Sequence, residues 1–294
     1  MGRKIEFTKM HGLGNDYIYI DSDRFPISDP AAFSIKWSKY HTGIGSDGVI
    51  LISKSEVADY RMRIFNADGS EAMMCGNGSR CVGKYIYDNY YRSSSSDARV
   101  LPESSPSVAI DLETNAGIKK IVLDIKNGTA VAAKVNMGEP LLFNKAQVNT
   151  EDGTLDGVPI EVEGYKFYPT YVCMGNPHCV IFVDDISRIS LETLGPQIEF
   201  NPIFPERANI EFVQVLPDGV LRMRVWERGS GITQACGTGA CATAVAAAVT
   251  GRAGRKSTVR MDGGDLQITW SEADNIIYMY GPAETSFEGY IIED

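Results

Sequence analysis

A fixed-offset repeat constrains this chain more than any other feature. Arg61-Met62-Arg63-Ile64-Phe65-Asn66 returns 161 residues later as Arg222-Met223-Arg224-Val225-Trp226-Glu227. Each string leads, nine residues after its end, to a cysteine among glycines: Cys75 in Met74-Cys75-Gly76-Asn77-Gly78 and Cys236 in Ala235-Cys236-Gly237-Thr238-Gly239. Asn15 after Gly14 recurs as Asn176 after Gly175, and Gly48 before an apolar strand pattern pairs with Asn209 before another. Landmarks that keep one offset without a gap point to a duplicated structural unit, so two similar domains are expected rather than one continuous core. A duplicated scaffold can exist only to share a core. One cysteine per copy in the same glycine-rich context adds a chemical reading, in which two thiols act on one substrate.

Alternating and β-branched runs predict strands in the first copy at Lys4–Met10, Tyr17–Asp21, Val49–Ser53, Tyr60–Phe65, Val108–Leu112 and Ile118–Ile125. A helix is expected over Arg80–Tyr91, and the Ser/Pro-rich stretch Ser93–Ser107 reads as a surface loop. The second copy predicts strands at Tyr171–Cys173, Val180–Val183, Ile210–Val215 and Leu221–Trp226, with a helix over Ala240–Thr250 closed by Gly251. That last helix has almost no polar face, so it must be enclosed. The expected fold class is therefore α+β: two pseudo-symmetric domains, each a mainly antiparallel sheet or barrel wrapped around a central helix. The boundaries are 1–134, joined by the C-terminal 282–294, and 135–281.

Composition narrows the function classes. A formal net charge of -10 disfavours a general nucleic-acid surface but not a small anionic substrate. No apolar run approaches membrane-spanning length and the N-terminus lacks a secretory apolar region, which leaves a cytoplasmic protein with reduced cysteines as the expectation. The six cysteines do not have the close Cys-x₂-Cys spacing of zinc or iron–sulfur sites, so no metal is expected. Cys81, Cys173, Cys179 and Cys241 fall in helices and strands and read as small buried apolar residues. Gly43-Ile44-Gly45-Ser46-Asp47-Gly48 fits the dinucleotide pattern as text, but it runs into a strand where that motif must open a helix.

Cys75 and Cys236 are different. Each stands where a glycine-rich turn opens a helix, and the unpaired N–H groups and dipole there favour a thiolate and can lower its pKa. The same donors suit a carboxylate. Asn15, Asn66, Asn77, Asn176 and Asn209 lie at turns or strand ends near these landmarks, where asparagine commonly serves only the backbone. Glu227-Arg228 stands where the first copy has Asn66. Arg228 could hold a carboxylate bidentately, and Glu227 could bind an ammonium or tune a thiol. His178 has a context in which a Cys–His pair is conceivable; His11 and His41 do not.

His11-Gly12-Leu13-Gly14-Asn15-Asp16, Phe65-Asn66-Ala67-Asp68-Gly69-Ser70, Met74-Cys75-Gly76-Asn77-Gly78, Gly175-Asn176-Pro177-His178, Glu227-Arg228-Gly229 and Ala235-Cys236-Gly237-Thr238-Gly239 together resemble the diaminopimelate epimerase family, in order and over nearly the whole chain. The resemblance implies a cofactor-independent enzyme with a cleft between two similar domains. It would interconvert LL- and meso-2,6-diaminoheptanedioate in lysine and peptidoglycan-precursor biosynthesis. By the same resemblance Cys75 and Cys236 are the acid/base pair. Substrate would meet Asn15, Asn66, Gly76, Asn77 and Asn176 and, in the second copy, Asn209, Glu227, Arg228, Gly237 and Thr238. His178 and Glu227 would adjust the thiols. Gly48 stands where many members carry Gln, which removes a side-chain contact, and Phe287 stands where some carry a Tyr at a dimer contact. The expected partners are diaminopimelate and a second copy of the chain, with neither nucleic acid nor membrane. A proline or hydroxyproline racemase is the nearest rival, and those relatives have a histidine where this chain has Asn77.

Overall fold

The computed structural model describes residues 2–92 and 107–293. The chain divides into two compact units, Met1–Asn136 with Tyr280–Asp294, and Met137–Met279. In the first, β1 (Arg3–Gly12) turns through Leu13-Gly14 into β2 (Asn15–Asp21). Both turn residues have positive φ, 61° and 82°, as a two-residue hairpin whose twist matches its strands requires. Helix α1 (Pro30–Trp37) leads to β3 (Gly48–Lys54), β4 (Tyr60–Asn66) and the short β5 (Glu71–Ala72). Helix α2 (Gly76–Ile86) follows, then a π-helical turn over Tyr87–Tyr91 and the strands β6 (Ser107–Thr114), β7 (Gly117–Lys126) and β8 (Thr129–Gly138).

The second unit adds a hairpin of its own, β9 (Ile160–Val162) and β10 (Tyr165–Phe167), and then repeats the first. Its elements are β11 (Thr170–Cys173), β12 (Pro177–Phe182), α3 (Leu191–Glu199), β13 (Asn209–Val215), β14 (Leu221–Glu227), β15 (Gly231–Ile232), α4 (Gly237–Val249), β16 (Lys256–Met261), β17 (Gly264–Trp270) and β18 (Ile277–Pro282). The last strand, β19 (Glu284–Glu293), pairs antiparallel with β1.

The pairings match unit for unit. β2 runs parallel to β3 and β12 parallel to β13; β4 runs parallel to β6 and β14 parallel to β16; the neighbouring pairs β3–β4 and β13–β14 are antiparallel. A parallel pair needs a crossover. α1 and α3 supply the first in each unit, and α2 and α4 supply the second. The second crossover is the central helix. α2 packs on β1, β2 and β7, and every residue from Gly76 to Ile86 is buried. α4 packs on six strands, β11 to β14 with β16 and β17, and its alanine-rich body is buried from Gly239 to Ala247. The α+β class with a largely antiparallel sheet around one helix per unit therefore describes the molecule.

Several details depart from the sequence reading. Both central helices start earlier than expected, at Gly76 and Gly237, because the cysteine itself is the N-cap and the glycines form the first turn. The expected helix over Arg80–Tyr91 changes to π geometry at Tyr87. Helices α1 and α3 were not anticipated. α1 has Asp29 as N-cap, accepting from Ala32 N–H, with Pro30 at its first position, which is a readable start signal. α3 contains Pro196. The expected Ser-rich loop lies outside the described residues except for Ser107, which opens β6.

Candidate active site

Asparagine, aspartate, serine and threonine are the usual N-cap residues. Here a thiol takes that position twice. Cys75 has extended geometry (φ -132°, ψ 118°), and its Sγ accepts from Gly78 N–H at 3.3 Å. Cys236 (φ -121°, ψ 111°) accepts from Gly239 N–H at 3.4 Å. The glycines permit this closeness. A Cβ on Gly239 would stand 3.2 Å from both Cβ and Sγ of Cys236 and 2.7 Å from Glu211 Oε1, and one on Gly78 would stand 2.8 Å from Ile50 Cδ1.

Around Cys75, Asn15 is the near neighbour. The hairpin places it at the start of β2, and Cys75 Sγ–H donates to its Oδ1 at 3.3 Å. Asn15 Nδ2 donates in turn to Asp47 Oδ2 at 2.7 Å. Asn66 ends β4, faces Gly48 in the β3–β4 register and donates through Nδ2 to Ser70 Oγ at 3.0 Å. Asn77 is buried in the first turn of α2 beneath Gly12. Gly48 has no room for a side chain here, since a Cβ would fall 2.2 Å from the Phe65 carbonyl oxygen.

The Cys236 environment is more heavily charged. Thr238 Oγ1 lies 3.6 Å from the sulfur, and Asn176 Nδ2 donates to that hydroxyl at 3.5 Å. His178 Nε2 lies 3.0 Å from Asn176 Oδ1, and its Nδ1–H donates to Glu211 Oε1 at 2.7 Å, with both the imidazole and the carboxylate fully buried. The His178 ring nitrogens are thus engaged by Asn176 and Glu211, so the alternative of a Cys–His nucleophile pair gains no support. Glu227 accepts from Thr233 Oγ1 and lies within hydrogen-bonding reach of Cys236. Burial raises the Glu227 carboxyl above its ordinary range. Asn209 is committed to the backbone: Nδ2 donates to Pro177 O at 2.9 Å and Oδ1 accepts from Arg228 N–H at 3.0 Å. The Arg228 guanidinium donates to Glu206 O at 3.0 Å.

The expectation of a lowered pKa fails at Cys236. Burial pushes this thiol well above the ordinary value, and the carboxylates of Glu227 and Glu211 push it further. The Thr238 hydroxyl and the Gly239 N–H pull the other way and lose. Only 4% of Cys236 is exposed, whereas Cys75 is half-buried. Burial lifts Cys81 to about 11, against the pull of Tyr19 and Arg80, and lifts Cys179 well above the ordinary value, with Glu211 adding to the rise.

Two residues in these clusters escaped the sequence reading. Glu211 sits inside the strand run Asn209-Ile210-Glu211-Phe212, and an isolated acid in an apolar strand was the available signal. Asp47 lies within the glycine run Gly43–Gly48, which fits a dinucleotide pattern only as text and carries no local sign of a site. Among the described residues no cluster of three or more His, Cys, Asp or Glu side chains could hold a metal ion.

The family model described as Diaminopimelate epimerase matches residues 7–143 and 170–286. The diaminopimelate epimerase of Phocaeicola vulgatus is 56% identical over 291 residues, covering 99% of both chains. The chain belongs to the diaminopimelate epimerase family. Relatives of the same name from Bacteroides thetaiotaomicron and Methanococcus maripaludis are 52% and 48% identical, each covering 98% of this chain and 98% and 99% of their own. Among solved structures, a hydroxyproline epimerase from Agrobacterium vitis with bound trans-4-OH-L-proline superposes with a TM-score of 0.67 at 18% identity, covering 98% of this chain and 91% of that one. A phenazine biosynthesis protein of the PhzF family from Bacillus anthracis gives 0.68 at 19%, covering 99% of each. Those two likenesses speak to the fold alone. Family membership, by contrast, rests on near-full-length identity about or above one half.

Proposed function

We propose that the protein interconverts LL- and meso-2,6-diaminoheptanedioate, with Cys75 and Cys236 as the acid/base pair and no cofactor. The observation that carries this reading is the duplicated N-cap thiol: one sulfur per unit, each capping the buried central helix at the same offset. Inverting a carbon centre without a cofactor takes a base and an acid acting on opposite faces of that carbon. One cysteine, as thiolate, takes the α-proton and becomes a thiol. The other, as thiol, gives a proton to the opposite face of the carbanion and becomes a thiolate. The return reaction exchanges the roles. Negative charge that develops on the α-carboxylate is met by the free N–H groups of the helix starts at Gly76, Gly237 and Thr238, fixed in place before reaction. Asn15, Asn66, Asn77, Asn176 and Asn209 form the polar walls, with Glu227 for an ammonium group and Arg228 for a carboxylate.

The raised Cys236 thiol suits the acid role in the direction where Cys75 is the base. The Ile50, Tyr17 and Asn66 positions of the first copy are replaced by Glu211, His178 and Glu227 in the second, so a substrate with unlike groups at its reacting carbon meets unlike walls. The same reading places the enzyme in the cytoplasm as a homodimer; among the described residues no helix is long and apolar enough to cross a membrane.

The test is turnover in deuterated water under reducing conditions, with LL-diaminopimelate and L-proline run in parallel. Solvent deuterium should enter the α-carbon of diaminopimelate alone, without added pyridoxal phosphate or metal. Exchange on proline alone, or none on either, overturns the reading.

A further inference from the structure

Asn15 can be turned two ways. Its amide presents an oxygen on one side and an NH₂ on the other, and the side that meets Cys75 decides which form of the sulfur it favours. Oxygen toward sulfur accepts S–H and favours the thiol; nitrogen toward sulfur donates and favours the thiolate. The choice is made by Asp47. An ionised carboxylate only accepts, so the partner 2.7 Å from Asp47 Oδ2 must be Asn15 Nδ2, and Oδ1 is left facing Cys75 Sγ at 3.3 Å.

Asp47 is itself fixed from three sides. Its Oδ2 also accepts from Asp16 N–H at 3.0 Å, its own N–H donates to Asp16 O at 2.9 Å, and its carbonyl accepts from Ala67 N–H at 2.9 Å, directly after Asn66. It ties the start of β2 to the end of β4. In the second copy the matched residue is Ala208, which has no side chain to do this. There the matched asparagine, Asn176, is backed instead by His178 and Glu211. Asn176 is turned the opposite way, with Oδ1 on His178 and Nδ2 donating to the Thr238 hydroxyl beside Cys236, so each copy fixes the amide in its own sense by its own side-chain arrangement.

We propose that Asp47 is a positioning residue that locks the Asn15 amide with its oxygen on Cys75, so that Asn15 supports this sulfur while it carries a proton. The inference rests on the assignment of Cys75 as a reacting thiol. The other ionisable groups nearby are Lys9, Asp16 and Tyr40 around Asp47, and Tyr19, Arg80 and Cys81 on the Cys75 side. None is altered in the variants below.

The experiment follows the pH dependence of iodoacetamide alkylation at Cys75, read by peptide mass in the resting, reduced protein. Asp47→Ala removes the acceptor and frees the amide to turn its NH₂ to the sulfur. Alkylation below the titration midpoint should speed up about tenfold, the equivalent of one pKa unit. Asp47→Asn keeps an oxygen acceptor for both Asn15 and Asp16 and should stay within about twofold of the wild type, since only the charge is lost. Asn15→Ala removes the carbonyl from the sulfur and should reproduce the Asp47→Ala rate, which keeps the test open should Asp47→Ala fail to fold. Equal acceleration in Asp47→Ala and Asp47→Asn would assign the effect to charge and overturn the proposal, as would an unchanged rate in Asn15→Ala. Alkylation needs no substrate, so this outcome stands apart from the deuterium-exchange test of the function itself.

Discussion

Beneath the Cys75 helix start lies Ile50; at the matched place beneath the Cys236 helix start lies Glu211. Tyr17 likewise corresponds to His178, and Asn66 to Glu227. The strands that carry these residues match almost residue for residue, as β3 with β13 and β4 with β14. One scaffold therefore holds the same atom, a sulfur at a helix N-cap, in two electrostatic settings. The first is half-buried and backed by an asparagine held on a carboxylate. The second is buried beside two carboxylates, and burial first, then their charge, raises its pKa. Duplication supplies the placement of the sulfurs, and substitution at the positions around them makes the two settings chemically unlike.

The most severe way to probe that division is to remove either sulfur. Cys75→Ala and Cys236→Ala should each lower epimerisation by about 10³-fold or more, since each deletes one of two proton-transfer groups. Loss in only one of them, measured by conversion of LL- to meso-substrate, would break the symmetry of roles. Next come the two glycines under the sulfurs. Gly78→Ala pushes on the flexible end of Ile50, and the cost should be about 1–3 kcal/mol by denaturant unfolding, as for other overpacked cores. Gly239→Ala pushes on Glu211 Oε1 and on Cys236 itself. It should lower kcat more than Gly78→Ala for a comparable loss of stability, and equal losses of kcat would argue that Glu211 is passive.

A smaller effect is expected from Glu211→Gln, which keeps an acceptor for His178 but removes one of the charges that raise Cys236. The thiol limb of the kcat/KM profile should move to lower pH; a limb that stays put would leave burial and Glu227 as the causes. The smallest effect is one on stability, read from Glu227→Gln. Burial raises the Glu227 pKa in the folded state, so the contribution of this carboxyl to stability is present below its unfolded pKa and is lost as pH rises through the folded value. Wild type should therefore lose Tm relative to Glu227→Gln on going from acid to neutral pH, by no more than a few degrees. A Tm difference independent of pH would mean that burial does not raise this carboxyl.

The repeat makes much of this legible in the sequence. Strand spacing, the apolar second helix and both cysteine turns follow from local pattern, because period and turn chemistry are written in neighbouring residues. What escaped depends on distant ones. Glu211 becomes a site residue only because β12 and β13 run parallel and set His178 opposite Asn209. Asp47 matters only because the β1–β2 hairpin returns Asn15 to it. The Cys236 thiol was expected to sit low, as at an exposed helix start, and it sits high because the fold buries it beside two carboxylates that lie nine and 25 positions away in sequence. Helix α3 is obscured by Pro196, and α1 by its shortness and its lack of a distinct apolar face, although Asp29-Pro30 marks its start.

The pairing of β19 with β1 has a consequence for how the molecule is made. The unit from Met137 to Met279 is a single uninterrupted stretch, whereas the other draws on both ends of the chain, Met1–Asn136 and Tyr280–Asp294. Arg3 finds its partner in Glu293, 290 positions further along the chain. The unit whose synthesis begins earlier is thus completed only after the other is whole. Until β19 emerges, the edge of β1 that it covers stays unpaired and open to wrong partners.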